Sequence, residues 1–203
     1  MTLIAPQNVV AVVLAAGASR RFGSTKQLAQ FGGIPLVAGT ADIAFETCGS
    51  RAALVIGHDW QAVRDACEPW QGFLLVNDDY EQGLGTSISL AARSLQHAAD
   101  ALIMILADQP FVTTAHVRSL IDKWSGADNE IVATEFSGTL GPPVLFASGC
   151  FDELAKLCGD SGARQLLEDP RFNVEGVLFE DAAIDIDSPE DLDAQRSQLT
   201  QPE

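Results

Sequence analysis

The amino-acid sequence predicts a single α/β domain in which a mostly parallel sheet is covered by helices on both faces. Continuous apolar runs such as Val9–Leu14 and Ala101–Leu106 are typical of strands that are buried on both sides. Helical patterns alternate with these runs along the chain, and this alternation is typical of βαβ units. The chain of 203 residues contains no internal repeat, so residues 1–203 are expected to form one domain.

Runs rich in apolar and β-branched residues predict the strands, and helical patterns with capping residues predict the helices between them. The predicted strands span residues 9–14, 52–56, 73–76, 101–106, 131–134, 144–146 and 174–179. The predicted helices, from cap or first residue to approximate end, are Pro35 to Thr47, Asp59 to Cys67, Thr86 or Ser87 to His97, Thr113 or Thr114 to Trp124, Phe151 to Leu157, Ala163 to Glu168 and Ser188 to Leu199.

The composition excludes several classes of function. Acidic residues outnumber basic ones by 28 to 12, and the formal net charge is −16. Such a chain cannot neutralise a phosphate backbone over a broad face and has no basic patch for an anionic membrane, so neither nucleic acid nor membrane is an expected partner.

Residues 1–6 do not resemble a secretory signal, and the apolar runs are too short to span a bilayer. Four cysteines without a C-x-x-C pair predict buried or half-buried thiols in the cytoplasm: Cys48, Cys67, Cys150 and Cys158.

The loop that follows the first predicted strand, residues 14–26, combines small residues with three cations, Arg20, Arg21 and Lys26. Glycine and small side chains let backbone N–H groups approach an anion, and the cations supply positive charge, so the loop is a candidate triphosphate site. It is not a P-loop, because Ser24 follows Gly23, and it lacks the dinucleotide fingerprint G-x-G-x-x-G. From its glycines alone, a plain surface loop with solvated arginines remains the alternative.

The complete string resembles the L-A-A-G-x-S-x-R-x-G-x-x-K signature of the nucleotidyltransferase superfamily that activates sugars and cofactors. The matching residues are Leu14, Ala15, Ala16, Gly17, Ser19, Arg21, Gly23 and Lys26. The continuation Lys26-Gln27-Leu28 and residues 33–36 resemble the molybdenum cofactor cytidylyltransferase family, whereas the guanylyltransferase branch more often carries L-A-G-G. The resemblance implies a Rossmann-like three-layer α/β/α fold. It also implies that backbone amides from Ala16 through Ala18 to Ser19 hold a triphosphate, with Arg21 and Lys26 on its oxygens.

Two acidic segments are candidate ligands for Mg²⁺. Asp108 directly follows a buried strand, where an aspartate faces the cleft at the carboxyl edge of the sheet. A turn or helix-entry role is the alternative for Asp108. The A-D-Q-P string resembles the metal-binding element of the family, and the resemblance implies a second carboxylate near the last helix. We choose Asp187 for it and keep Asp185 as the alternative, although a capping box at Ser188 also explains this segment.

The resemblance also implies sites for the nucleoside and for the acceptor. Residues 77–87 resemble the segment that closes over base and ribose, with Gly83, Thr86 and Ser87 in contact with the nucleotide; a glycine turn with an ordinary cap is the alternative. Residues 141–146 and 159–164 resemble segments near the acceptor. From them the acceptor-binding residues are taken to be Pro143, Asp160, Gly162 and Arg164. Pro142 departs from the basic or histidine-containing turn of relatives, and a short turn with an exposed Arg164 is the alternative.

The implied reaction is Mg²⁺-dependent transfer of CMP from CTP to the terminal phosphate of molybdenum-loaded molybdopterin, with release of pyrophosphate. No Ser-His-Asp or Cys-His arrangement is evident, and the attacking phosphate is already an anion at neutral pH. A molybdenum hydroxylase apoenzyme is the candidate downstream partner. The alternatives are the same fold with GTP or a sugar-phosphate acceptor, an NAD(P)H-dependent reductase, and a carrier of the cofactor without catalytic activity.

Overall fold

The computed structural model describes residues 8–160 and 162–199, and these contain nine strands and seven α-helices. The strands are β1 (Val9–Leu14), β2 (Gln30–Phe31), β3 (Ile34–Pro35), β4 (Ala52–Ile56), β5 (Phe73–Val76), β6 (Ala101–Leu106), β7 (Glu130–Phe136), β8 (Thr139–Ala147) and β9 (Asn173–Leu178). The helices are α1 (Leu36–Cys48), α2 (Trp60–Asp65), α3 (Leu84–Leu95), α4 (Thr114–Lys123), α5 (Phe151–Leu154), α6 (Arg164–Leu167) and α7 (Pro189–Leu199).

Seven of the strands form one sheet in the order β5-β4-β1-β6-β8-β7-β9. Strand β8 is antiparallel to β6 and β7, and every other neighbouring pair is parallel, which confirms the predicted mostly parallel sheet. Along the chain, β4 is added next to β1 and β5 next to β4, and the chain then crosses to β6 on the other side of β1. Strand order therefore reverses between β1 and β6, and ligands bind at such a switch point beyond the carboxyl ends of the strands.

Helices cover both faces of the sheet, as the sequence predicts. Because successive side chains of a strand point to opposite faces, Ala11 and Val13 of β1 lie in one buried cluster with residues of α1 and α4, whereas Val10 and Val12 lie in another with residues of α3 and α5. All four residues are fully buried or nearly so. A smaller cluster joins Leu36, Ile186 and Leu192 beside the β2–β3 hairpin. This cluster anchors the segment that leads into α7 against the first part of the chain.

Several element boundaries differ from the prediction. Strands β7 and β8 are longer than expected and form a hairpin through Ser137 and Gly138. The expected cap at Thr86 or Ser87 is wrong, because α3 begins earlier, at Leu84, after Gly83. Asp59 does not cap α2 with its side chain, which bonds instead to the hydroxyl of Thr25. The β2–β3 hairpin was not anticipated, since its two-residue strands leave no periodic pattern.

Other expectations hold. Thr113 caps α4 by accepting a hydrogen bond of 3.2 Å from the backbone N–H of His116. Ser188 and Asp191 form the predicted capping box, in which the Asp191 carboxylate accepts from the Ser188 N–H at 2.8 Å. The four cysteines are free, but Cys158 is exposed rather than half-buried. Among the helices that the structure describes, none has the length and apolar character needed to cross a membrane.

A buried polar contact joins α4 to the β7–β8 hairpin. His116 is 5% exposed, and its ring stacks on Phe179 with centroids 4.3 Å apart. The Thr134 hydroxyl donates to the Pro143 carbonyl at 2.7 Å, so it accepts from the Nε2–H of His116 at 2.8 Å. Burial lowers the pKa of His116 to about 4. The folded protein thus holds this imidazole neutral at a pH where an unfolded chain would begin to protonate it.

This depressed pKa predicts a loss of stability in mild acid. Between pH 6.5 and pH 4 the unfolded chain binds a proton at His116 that the folded protein does not, so the free energy of unfolding falls as the pH falls. The wild type is expected to lose up to about 3 kcal/mol over this range relative to His116→Gln. Urea unfolding at pH 7, 5.5 and 4 measures this difference. His97→Gln, at an exposed position, is the control; a parallel pH dependence of wild type and His116→Gln would contradict the prediction.

Candidate active site

A cavity of about 410 Å³ lies at the switch point between β1 and β6. Its walls come from the loop after β1, the residues after β6, the start of α3 and the segments before α6 and α7. The predicted site residues that line it are Leu14, Ala16, Gly17, Ala18, Ser19, Arg21, Lys26, Gly83, Ser87, Asp108, Asp160 and Asp187. Residues that sequence analysis proposed from five separate segments are therefore brought together in one pocket.

The other predicted residues do not line this cavity. They are Ala15, Thr86, Pro143, Gly162, Arg164 and Asp185. Ala15 is buried, and its N–H donates to the Val55 carbonyl at 2.8 Å. The Arg164 side chain is 76% exposed and lies 3.7 Å from Glu168, which matches the alternative of an exposed arginine at a turn. Ser161, within the string used for the acceptor prediction, lies outside the described residues.

Two buried amide side chains, Gln27 and Asn77, hold the cavity walls in place, and neither was predicted as a site residue. Gln27 is 4% exposed; its amide donates to the Gly17 carbonyl at 2.7 Å and accepts from the Ser19 hydroxyl at 3.1 Å. Asn77 is 5% exposed and donates to the hydroxyls of Thr86 and Ser87, each at 2.9 Å. Gln27 belongs to the Lys26-Gln27-Leu28 string, but its role depends on contacts that the string does not reveal.

The loop after β1 presents unpaired donors to the cavity. Within the described part of the chain, the backbone N–H groups of Gly17, Ala18 and Ser19 donate no hydrogen bond. Ser19 takes a left-handed conformation with φ of 51°, and its carbonyl accepts from the N–H groups of Phe22 and Gly23 at 2.9 and 3.3 Å. Consecutive free N–H groups in such a turn form a concave anion site. This arrangement fits the phosphate cradle that the sequence predicts.

Lys26 lies at the centre of the charged end of the cavity. Its ammonium group donates to Asp108 Oδ2 at 2.7 Å, to Asp187 Oδ1 at 2.9 Å and to the Ile186 carbonyl at 2.9 Å. Arg21 lies on the other side of Asp187, with its Nη2 atom 2.7 Å from Oδ2. The Asp108 carbonyl accepts from the Ile186 N–H at 2.9 Å, and this contact holds the two acidic segments side by side.

This arrangement shifts two pKa values. Burial lowers the pKa of Lys26, but the charge of Asp108 and the hydrogen bonds to Asp108 and Asp187 outweigh burial, so the pKa is raised overall. Lys26 is therefore a cation at neutral pH. Burial, followed by the charges of Asp187 and Asp108, raises the pKa of Asp185. Asp185 lies near the cluster without lining the cavity.

The carboxylates fit a divalent cation. Asp108 Oδ1 is buried and has no hydrogen-bond partner among the residues described, although a buried carboxylate oxygen normally has one. Carboxylate oxygens are the ligands that Mg²⁺ prefers, and Mg²⁺ commonly takes one or two of them together with substrate phosphates. Over residues 8–160 and 162–199, no group of three or more His, Cys, Asp or Glu side chains is arranged to hold a metal. A site built from Asp108 and Asp187 would therefore take its remaining ligands from substrate phosphates and water.

Another part of the cavity wall comes from the start of α3 with the segment that leads into it, and from the segment before α6: Tyr80, Glu81, Gly83, Leu84, Ser87 and Asp160. Gly83 has φ of 113°, and a Cβ atom there would lie 2.5 Å from the Gly159 backbone and collide with the Asp160 carboxylate. The Gly159 carbonyl accepts from the Gly85 N–H at 2.9 Å. Only glycine at position 83 lets Asp160 lie so close to the start of α3.

The model of the MobA-like NTP transferase domain family matches residues 11–175. The chain belongs to this family. As a MobA-like NTP transferase it is a nucleotidyltransferase, which confirms the enzyme class and the Rossmann-like three-layer fold that the sequence resemblance implied.

Three curated proteins are similar to this MobA-like NTP transferase over nearly its whole length. "Purine catabolism protein PucB" of Bacillus subtilis is 30% identical, with 95% of this chain and 98% of that protein covered. "Nicotine blue oxidoreductase" of Paenarthrobacter nicotinovorans is 28% identical, with coverage of 91% and 94%. "Molybdenum cofactor cytidylyltransferase" of Escherichia coli is 26% identical, with coverage of 94% and 96%.

A solved structure is also similar to this MobA-like NTP transferase. Rv0371c of Mycobacterium tuberculosis H37Rv, crystallised as a complex with manganese, superposes with a TM-score of 0.78. It is 27% identical, with 94% of this chain and 98% of that chain covered. That neighbour was solved with manganese, and in this chain the unpaired Asp108 Oδ1 is an oxygen of the kind that divalent cations bind.

Proposed function

We propose that this enzyme transfers CMP from CTP to the terminal phosphate of molybdopterin, with Mg²⁺ held by Asp108 and Asp187. The observation that carries the proposal is that free loop amides, Lys26 and the two carboxylates lie in one cavity of about 410 Å³. Anion donors next to a cation site are what a metal-bound triphosphate requires. The similarity to a molybdenum cofactor cytidylyltransferase supports the choice of CTP and molybdopterin. A cytoplasmic location and delivery to a molybdenum hydroxylase apoenzyme belong to the same proposal.

The reaction needs positioning more than a protein nucleophile. An oxygen of the acceptor phosphate forms a bond to the α-phosphorus of CTP, and the bond between that phosphorus and the α–β bridging oxygen breaks, so pyrophosphate leaves with the bonding electron pair. When bound, Mg²⁺ supplies neutralising charge on the phosphate oxygens. The N–H groups of Gly17, Ala18 and Ser19 orient the triphosphate, while Lys26 and Arg21 stabilise charge on its oxygens.

The nucleoside is assigned to the part of the cavity that contains Ser87, Gly83 and Asp160. Ser87 presents a hydroxyl there that is already oriented by Asn77. The resemblance implied a contact of Asp160 with the acceptor, but its place on the cavity wall beside Gly83 favours a contact with the nucleotide. Carboxylates accept hydrogen bonds from ribose hydroxyls or from an exocyclic amine. Pro143, Gly162 and Arg164 remain predicted acceptor contacts.

Asp160→Asn tests this assignment. Loss of a charge-assisted hydrogen bond to the nucleotide is expected to raise the KM for CTP about tenfold and to leave the KM for the acceptor unchanged. Steady-state pyrophosphate release with each substrate varied in turn measures both constants. Asp152→Asn, at an exposed position of α5, is the control. A raised KM for the acceptor alone would instead support the acceptor contact that the resemblance implied.

The substrate choice is tested by pyrophosphate release from CTP, GTP, ATP and UTP, with and without molybdopterin. Release that requires both CTP and molybdopterin is the expected result. Faster turnover of GTP with the same acceptor would overturn the base assignment, and release with a sugar phosphate in place of molybdopterin would overturn the acceptor.

A second candidate function comes from the similarity to a nicotine blue oxidoreductase. A reductase of this kind would oxidise NADH or NADPH. The loop after β1 has Ser19 where the dinucleotide fingerprint has its second glycine, which favours transfer over reduction. Absorbance at 340 nm with each nicotinamide cofactor and nicotine blue distinguishes the two, because steady oxidation of the cofactor by the purified protein would support the reductase.

A further inference from the structure

The ammonium group of Lys26 occupies the space between the two carboxylates assigned to the metal. An ammonium group has three donors, and all three are used, on Asp108 Oδ2, Asp187 Oδ1 and the Ile186 carbonyl. The Lys26 side chain is 14% exposed, so little water can reach the ammonium group in place of these three acceptors. With these three contacts made, Lys26 has no donor left for a phosphate.

The carboxylate oxygens are nearly all taken by cationic side chains. Arg21 lies against Asp187 Oδ2, and Lys26 lies against Asp187 Oδ1 and Asp108 Oδ2. Among these four oxygens, Asp108 Oδ1 alone is buried without a partner in the described part of the chain. A divalent ion that contacts both carboxylates must share an oxygen of Asp187 with Lys26 or Arg21, or displace one of these cations from it. The Arg21 side chain is 78% exposed, whereas Lys26 is enclosed.

We propose that Lys26 is an internal counter-cation that competes with the divalent metal for Asp108 and Asp187 until a triphosphate provides other acceptors for its ammonium group. This inference rests on the metal site of the proposed function. It concerns the protein without nucleotide, however, and predicts that the metal alone binds weakly because the charge of Lys26 opposes a second cation at the same carboxylates. When phosphate oxygens accept the displaced ammonium group, the displacement costs less, and metal and nucleotide favour each other's binding.

The strength of the competition follows from charge. Two cations cannot approach the same carboxylates closely without repulsion, which is larger in a half-buried site than in water. Removal of the Lys26 charge also leaves two adjacent carboxylates without their shared partner, and this raises their affinity for any other cation. We expect at least about a tenfold tightening of metal binding when the charge is removed.

The test is the affinity for Mn²⁺ alone, measured by electron paramagnetic resonance with neither nucleotide nor acceptor present. Lys26→Met is expected to bind Mn²⁺ at least about tenfold more tightly than the wild type. Lys123→Met removes a surface lysine that pairs with Glu175 at 3.4 Å and is expected to leave the affinity unchanged. Asp108→Asn is expected to abolish binding at this site. Equal or weaker Mn²⁺ binding by Lys26→Met, or unchanged binding by Asp108→Asn, would overturn the inference.

A second measurement uses the wild type and stays valid if Lys26→Met does not fold. In protein labelled with ¹⁵N-lysine, the Lys26 Nζ resonance is assigned by its loss in Lys26→Arg. Addition of Mg²⁺ is expected to shift this resonance and to speed the hydrogen exchange of its ammonium protons, since the three donors lose their protein acceptors. An unmoved resonance at saturating Mg²⁺ would overturn the competition. Both measurements omit substrates, so an absence of nucleotidyl transfer would contradict the proposed function without affecting this result.

Discussion

Asp108→Asn is expected to reduce pyrophosphate release by about 10³-fold or more while the protein remains folded. The substitution keeps the shape of the side chain but removes its charge and replaces one carboxylate oxygen with an amide nitrogen, which cannot bind a cation. It acts on the residue whose Oδ1 atom is buried and unpaired, next to the phosphate cradle. No other described carboxylate combines these two properties.

Steady-state pyrophosphate release with CTP and molybdopterin measures this effect, and thermal unfolding confirms that the fold is intact. Asp122→Asn, on the exposed side of α4, controls for loss of one negative charge elsewhere and is expected to act like the wild type. Activity of Asp108→Asn within tenfold of the wild type would show that Asp108 does not hold the metal. An absence of pyrophosphate release from the wild type itself would instead favour the alternative in which the protein carries the cofactor without catalysing its conversion.

Lys26→Met is expected to lower kcat/KM by roughly 10²-fold. The loss arises in the substrate complex, where the ammonium group stabilises negative charge at the α-phosphorus and on the departing pyrophosphate. The same variant is expected to bind Mn²⁺ more tightly in the absence of nucleotide. These opposite effects distinguish a residue with two roles from one that only stabilises the fold.

Single-turnover measurements at saturating CTP separate binding from chemistry. A fall in kcat that persists at saturation would show that Lys26 acts in the transition state, and Lys26→Arg, which keeps the charge, is expected to recover part of the rate. If Lys26→Met kept a normal kcat and lost only affinity for CTP, Lys26 would contribute uniform binding rather than catalysis.

Sequence patterns predicted the parts of the protein where local and global preferences agree. Val9–Leu14 and Ala101–Leu106 are apolar throughout and became the two central strands that flank the cavity. Asp108 follows such a strand, so its position at the carboxyl edge is a consequence of chain direction alone. The capping box at Ser188 and Asp191 was also predictable, because all its hydrogen bonds join residues three apart.

Contacts between distant segments were not predictable in the same way. Helix α3 begins at Leu84 because Gly159 and Asp160 pack against its start, and this contact leaves no signal near Thr86 or Ser87. The role of Gln27 depends on a loop that is folded back over it. When two hydrogen-bond partners are far apart in the sequence, the local sequence around either one does not identify the other. The pair becomes evident only in the folded structure.

By itself, the sequence determined most of the strand and helix pattern, the small and basic residues of the loop after β1 and the acidic residue that follows β6, because each depends on neighbours within a few positions. Tertiary structure alone decided that Lys26 contacts both Asp108 and Asp187, since these residues are 82 and 161 positions away. It also decided that Asp160 faces the same cavity as Gly83. The physical reason is that sheet order and the packing of the chain after β9 against the β1 loop set these distances, and residue spacing along the chain does not encode them.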